Sequence, residues 1–332
     1  MFKLNKLIGL IFITILNLGC SPSVIEVTTP AVNVDPGFYD LKNWQSKKNM
    51  IREKENFAFV SLENKLYAIG GDAVNIWLAD NDVYDKVTDT WSAKKPMSVN
   101  RGGLSAAVIN SKIYVAGGFD GSKSTWYDTL EVYDPITDNW EKKSPMGTKR
   151  SSLGVGVIDN KLYAVGGIRS EKDWLDRLEV YSPDSDTWAL LSPMSAPRAE
   201  VAVAIVNKKL YAFGGSNSNG VLNIVEEFNS RTNSWKTKTS LPTPRANAKV
   251  ITISNNIFVM GGRDEKNKPL DIVEVYNTST DKWSTTEKLP EQRVSFGAVV
   301  TGNDGNTVYI AGGMDPEHVI GLVKTGKIEK KQ

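Results

Sequence analysis

The sequence predicts an all-β fold, a six-bladed β-propeller whose ring is closed by an N-terminal outer strand in the last blade. Three observations predict it. Gly-Gly pairs begin at Gly70, Gly117, Gly166, Gly214, Gly261 and Gly312, in steps of 47, 49, 48, 47 and 51 residues. Tryptophans recur at Trp44, Trp91, Trp140, Trp188, Trp235 and Trp283 with nearly the same period. One aromatic stands seven residues before the Trp (Tyr84, Tyr133, Tyr181, Phe228, Tyr276), and another stands three before each Gly-Gly (Tyr67, Tyr114, Tyr163, Tyr211, Phe258, Tyr309). A fixed period of this length marks stacked supersecondary units rather than two separate domains.

Each unit reads as four short strands. The first is small and apolar, as in LSAAVI, LGVGVI and VAVAIV. A turn such as Asn110-Ser111-Lys112 leads to the second, KIYVAGG or KLYAVGG, and a variable loop leads to the third, such as LEVYD. A polar turn (PITDN, PDSDT) then precedes the fourth strand at Trp. Strands of this length cannot bury both faces alone, so the units must stack around an axis. Small residues suit the crowded strand nearest that axis. The Gly pair permits unusual dihedrals and close approach of neighbouring backbone, and the aromatics supply apolar area between blades. The units are offset from the termini: Trp44 has no Gly-Gly before it, and Gly312-Gly313 has no Trp after it. Closure by exchange resolves this, with Asp40–Gln45 as outer strand of the last blade against a third strand at His318–Thr325, so that no sheet edge remains.

The combination of Gly-Gly, Glu-x-Tyr (Glu131-Val132-Tyr133, Glu179-Val180-Tyr181, Glu274-Val275-Tyr276) and Trp at fixed spacing resembles the kelch-repeat family. The likeness covers residues 38–325 and leaves 326–332 as a charged C-terminal tail. Phe228 and Phe258 replace Tyr, Asp82 replaces Glu in the first unit, and the last unit is eroded.

The N-terminus reads as an address. Lys3 and Lys6 precede an apolar run, Leu7 to Leu18, too short to span a bilayer but right for a signal peptide. The run ends in Gly19-Cys20, and Cys20 is the only cysteine of the 332 residues. Residues 1–19 resemble a bacterial lipoprotein signal, which implies cleavage before Cys20 and its acylation. Residues 20–37, rich in Pro, Ser, Thr and Val, read as a tether. The expected location is the bacterial cell envelope, lipid-anchored and facing the periplasm or the exterior.

Composition narrows the chemistry. With 40 Lys+Arg against 38 Asp+Glu, the net charge of +2 gives no case for nucleic-acid binding. One Cys and one His exclude a disulfide, a multi-histidine metal site and copper chemistry of the galactose-oxidase kind. No cofactor or metal is expected. The lone His318, in the eroded unit, reads as a surface residue.

One cation repeats. Arg101, Arg150, Arg198 and Arg245 stand sixteen residues before their Gly-Gly pairs, Lys54 holds the same register, and Arg293 is displaced by a longer turn. These six begin the innermost strands and admit two readings: pairing within each blade, or an anion-attracting ring at one mouth of the channel. The repeated Glu residues sit on third strands farther from the axis and do not obviously supply the partners. Kelch domains that bind acidic peptides present arginines near this position, so the resemblance supports the second reading. Specificity is expected from Trp77, Trp126, Trp174, Arg169, Arg263 and Asp264 in the variable loops, where the tryptophans either cap the blades or form an aromatic platform.

Two functions follow. The first is a monomeric, membrane-anchored extracytoplasmic binding module for a protein, peptide or glycan with anionic groups. The second, from resemblance to a kelch-like sialic-acid mutarotase, is a sugar-active propeller using an arginine with Glu200 or Asp264 as acid/base.

Overall fold

The computed structural model describes residues 39–74, 76–301 and 305–330. Cys20, the signal segment and the tether lie outside the described residues. Six four-stranded antiparallel sheets follow one another, each ordered from an inner to an outer strand. Blade two is typical, with strands Ser105–Ile109, Lys112–Ala116, Leu130–Asp134 and Asn139–Lys143. The inner strands of the other blades are Ala58–Leu62, Gly154–Ile158, Ala202–Val206, Lys249–Ile253 and Gly297–Thr301. Each touches the inner strands on either side, and blade six meets blade one.

The closing blade joins the two ends of the chain. Tyr39–Lys47 pairs antiparallel with Val323–Lys330, from Tyr39 opposite Lys330 to Lys47 opposite Val323. The exchange expected from the offset units is therefore present. Its third strand lies further along than His318–Thr325, and residues 326–330 are strand rather than tail. The cause is local: Asp315 Oδ1 accepts the amides of Glu317 and His318, and Met314 bridges Val319, which folds that segment into a loop.

The repeated residues hold neighbouring blades together. In blade two Tyr133 Oη donates to Asp138 Oδ1 at 2.7 Å, and the same oxygen accepts Lys95 N at 3.1 Å from the strand connection of blade one. Trp140 Nε1 then donates to Lys95 O at 2.7 Å. Blades one, three and five repeat this staple through Asp89, Asp186 and Asp281. Blade four has Phe228, which has no hydroxyl to donate, and Asn233 takes the place of the aspartate. Glycine is required at Gly117, where φ is +66° and a Cβ would stand 2.5 Å from Arg150 O. Its neighbour Gly118 donates to that same carbonyl at 2.9 Å, linking blades two and three.

Candidate functional site

The six repeated cations are fully buried, which corrects their reading as a ligand-facing ring. Arg198 shows the geometry. Its Nη2 donates to Glu226 Oε2 at 2.7 Å, and its Nη1 donates to Gly214 O at 3.2 Å and Ile224 O at 3.1 Å. Glu226 Oε1 also accepts the amide of Ser195. Burial lowers the guanidinium to about 10, against the opposing effect of Glu226, so it stays charged at neutral pH. Arg101 pairs with Glu131 at 2.8 Å, Arg245 with Glu274 at 2.5 Å, and Arg150 with Glu179. Lys54 pairs with Asp82 at 2.7 Å, a shorter acid where Glu stands in the other blades. In blade six, Lys324 takes the glutamate register opposite Ile310, and Glu291 bridges Arg293 at 3.1 Å and Lys324 at 3.2 Å. In five blades the third-strand carboxylates are thus the partners after all, and in blade six Glu291 takes their place. The long guanidinium crosses beneath the Gly-Gly end of the second strand to reach them.

Two residues after each cation, the chain forms a collar around the axis. Asn56, Gly103, Ser152, Glu200, Asn247 and Ser295 all have φ between 52° and 62°. Their peptides bond in succession: Gly103 N to Asn56 O (2.8 Å), Ser152 N to Gly103 O (2.7 Å), Glu200 N to Ser152 O (2.8 Å) and Asn247 N to Glu200 O (3.0 Å). Asn56 N in turn donates to Ser295 O at 3.0 Å. A left-handed conformation at each step turns these amides along the ring.

The collar is regular in backbone and irregular in chemistry. On one side Glu200 accepts from Arg263 Nη2 and from Ser216 Oγ at 2.7 Å. Sequence analysis named Glu200 and Arg263 separately, and the fold brings them together. On the other side Glu55 and Asp72 exchange backbone hydrogen bonds at 2.9 Å, and Asn56 Nδ2 donates to Asp72 Oδ1 at 3.1 Å. Burial first, and Asp72 second, push Glu55 up to about 7; burial raises Asp72 to about 6. Below the collar Lys249 reaches into the channel, donating to Asn247 Oδ1 at 3.3 Å. Burial lowers its amine to about 8, partly opposed by Glu200.

The variable loops stand around this mouth. Trp77 from blade one meets Phe119 of blade two edge-on at 6.2 Å, and Phe119 meets Trp126 at 4.4 Å. The Trp77 ring lies over Gly121, where a Cβ would stand 2.1 Å from it. Trp77 and Trp126 therefore form one half-buried shelf across two blades, with Val74 and Ile76 exposed beside it at 75% and 57%. Trp174 bridges Ile168 within its own loop and is not in that shelf. Arg169 pairs with Asp173, and Asp264 accepts the amides of Lys266 and Lys268 as a turn former, which removes it as the acid/base. His318 is exposed.

Lys249, Glu55, Asp72 and Phe119 were not singled out from sequence. Lys249 carried a signal: its register partners in the other inner strands are Ala58, Ser105, Gly154, Ala202 and Gly297.

The closed ring of four-stranded blades with a polar collar defines a six-bladed propeller. A family model described as the KLHDC2/KLHL20/DRC7 Kelch-repeats domain matches residues 33–167 and 154–323. The chain belongs to the kelch-repeat family. It is 34% identical over 94 residues to human "Kelch repeat and BTB domain-containing protein 12", an alignment covering 26% of this chain and 15% of that protein. It is 32% identical over 80 residues to "Kelch repeat protein M-T9" of Myxoma virus (strain Lausanne), covering 23% and 16%. The aligned stretches thus span about one sixth of those relatives' length or less. Among solved structures it is similar to one titled "Structure of YjhT", with a TM-score of 0.74, 15% identity, and coverage of 86% of this chain and 99% of that one. At that identity the likeness is one of fold.

Proposed function

We propose that this protein is an extracytoplasmic binding module, anchored in the bacterial cell envelope through acylated Cys20, that takes a protein segment on its loop face. The observation that carries the reading is the Trp77–Phe119–Trp126 shelf beside exposed Val74 and Ile76. Aromatic side chains spanning two blades on the variable face are what a binding surface concentrates at its centre. Kelch-repeat membership supports a protein partner. With the six repeated cations spent on buried carboxylates, a preference for acidic partners has no support from that ring. A soluble domain starting at Ser21, applied to peptide and glycan arrays, should retain peptides. Trp77→Ala combined with Trp126→Ala should weaken the retained set more than tenfold with an unchanged melting temperature, since such anchors contribute about 2 kcal/mol or more. Equal retention by the double variant would overturn the reading.

One observation favours a second function, a sugar-active propeller. Glu55, raised to about 7 beside Asp72 at the collar, is an asymmetric acid/base of the kind such chemistry requires. Retention of glycans alone, lost in Glu55→Gln, would move the assignment there.

A further inference from the structure

We propose that the axial channel is a binding site for a small monocarboxylate, with the anionic head on the Lys249 amine and its uncharged remainder in the cavity below it. Three observations converge. The first is the register. Five inner strands place Ala, Ser or Gly where blade five places Lys249, so one long cationic side chain enters a space the other blades leave open. Among the described residues, Lys249 is the only charged one lining the cavity of about 200 Å³ at the centre of the ring. A dry cavity of roughly 150 Å³ already holds a benzene molecule, so this volume accommodates a short hydrocarbon chain.

The second observation is the unspent bonding of the amine. An ammonium carries three donors, and the hydrogen bond found for it is the long one to Asn247 Oδ1, 3.3 Å. Glu200, the carboxylate it feels, is already paired with Arg263 and bonded to Ser216. Among the described residues no carboxylate pairs with the amine, although Glu200 lines the same mouth, and burial lowers the amine to about 8. A ligand carboxylate would supply the missing charge. A single cation matches a single negative charge rather than a phosphate dianion.

The third observation is the uncharged wall below the amine. The central cavity shares Phe59, Val203, Val250 and Ala298 with a wider opening of about 370 Å³ at the far end of the channel. That end adds Val108 and Ile205 and has no charged residue in its lining. Lys249 is the first residue of its strand, so about four further residues, roughly 13 Å, of uncharged wall follow it.

The test is calorimetric titration of the soluble domain with hexanoate, propionate, hexanol and hexyl phosphate. Hexanoate and propionate should bind saturably, and hexanoate more tightly than hexanol or hexyl phosphate. Lys249→Met keeps the length and apolar character of the stem, and it should weaken hexanoate at least tenfold while leaving hexanol unchanged. Lys249→Arg should retain binding. Hexanoate should also protect Lys249 from acetylation by acetic anhydride, read by mass spectrometry. The proposal is overturned if the wild-type domain shows no saturable binding of hexanoate, if Lys249→Met binds it equally well, or if hexyl phosphate binds more tightly. These outcomes are independent of the loop-face array, which reads Trp77 and Trp126.

Discussion

Replacing Arg198 by Met tests whether the repeated cation is structural. The substitution removes a guanidinium that is fully buried and leaves Glu226, 1% exposed, without its partner at 2.7 Å. Breaking a buried pair from one side costs about 3–5 kcal/mol, because the remaining charge is uncompensated. The carbonyls of Gly214 and Ile224 also lose a donor each. Against a total stability of about 5–15 kcal/mol, that is a large fraction, and for a propeller of this length it corresponds to a drop of roughly 5–8 °C in melting temperature. Arg198→Met with Glu226→Leu removes both charges and should recover the part due to the unpaired charge, leaving about 1 kcal/mol for each hydrogen bond still missing at the Ser195 amide and the Gly214 and Ile224 carbonyls. Thermal and denaturant melts of wild type, single and double variants read this directly. If Arg198→Met melts within about 1 kcal/mol of wild type, or if the double variant is less stable than the single, the pairing argument fails. A stable single variant that lost binding on the loop face would return the arginines to the ligand.

Deleting residues 38–46 removes the outer strand of blade six and uncovers the edge of Val323–Lys330. The truncated domain should melt lower and self-associate in sedimentation analysis; a monomer melting like the intact domain would refute closure by exchange. Glu55→Gln tests the collar acid. A carboxyl raised to about 7 from 4.5 contributes stability that is complete below about pH 4.5 and is lost as pH rises through 7. The variant should therefore match wild type near pH 4 and exceed it at pH 8, and a pH-independent difference between their melts would contradict the assignment. Cys20→Ser should move the full-length protein from the membrane fraction to the soluble one, or leave it unprocessed; unchanged fractionation and mass would exclude acylation.

The fold was legible because each repeated residue does the same job in every blade. Gly117 is glycine because Arg150 O occupies the place of a Cβ, and Trp140 recurs because its indole reaches the carbonyl at the end of the preceding blade. Spacing alone therefore locates the strands. It failed where repetition stops: the last blade has no Glu-x-Tyr to set its register and its Trp44 lies at the other end of the sequence, and its third strand was placed five residues early. The cation ring was legible as a ring and misread in its partners. Linear order puts Glu131 on a strand away from the axis, whereas the Arg101 side chain is long enough to pass the second strand and reach it. Contacts across a blade depend on side-chain reach, which spacing does not encode.

Departures from the repeat fall into two kinds, and the distinction separates structure from function. Some are compensated. Phe228 comes with Asn233, Lys54 with Asp82, and Lys324 with Glu291, so each change in one member is matched in the group it meets. Such pairs keep a buried polar group satisfied and leave the blade as it was. Others have no answering change. Lys249 enters the channel with one long hydrogen bond, to Asn247 two residues before it, Glu55 sits beside Asp72 with both carboxyls raised, and Trp77 covers Gly121 of the next blade. For Lys249 and Glu55 folding gains nothing: the charged form of each is disfavoured by burial, and a neutral side chain would serve the ring better. A site that costs stability and is unmatched by its neighbours is where the proposals above place a ligand. In this propeller those residues gather at one end of one channel, around the collar from Asn56 to Ser295.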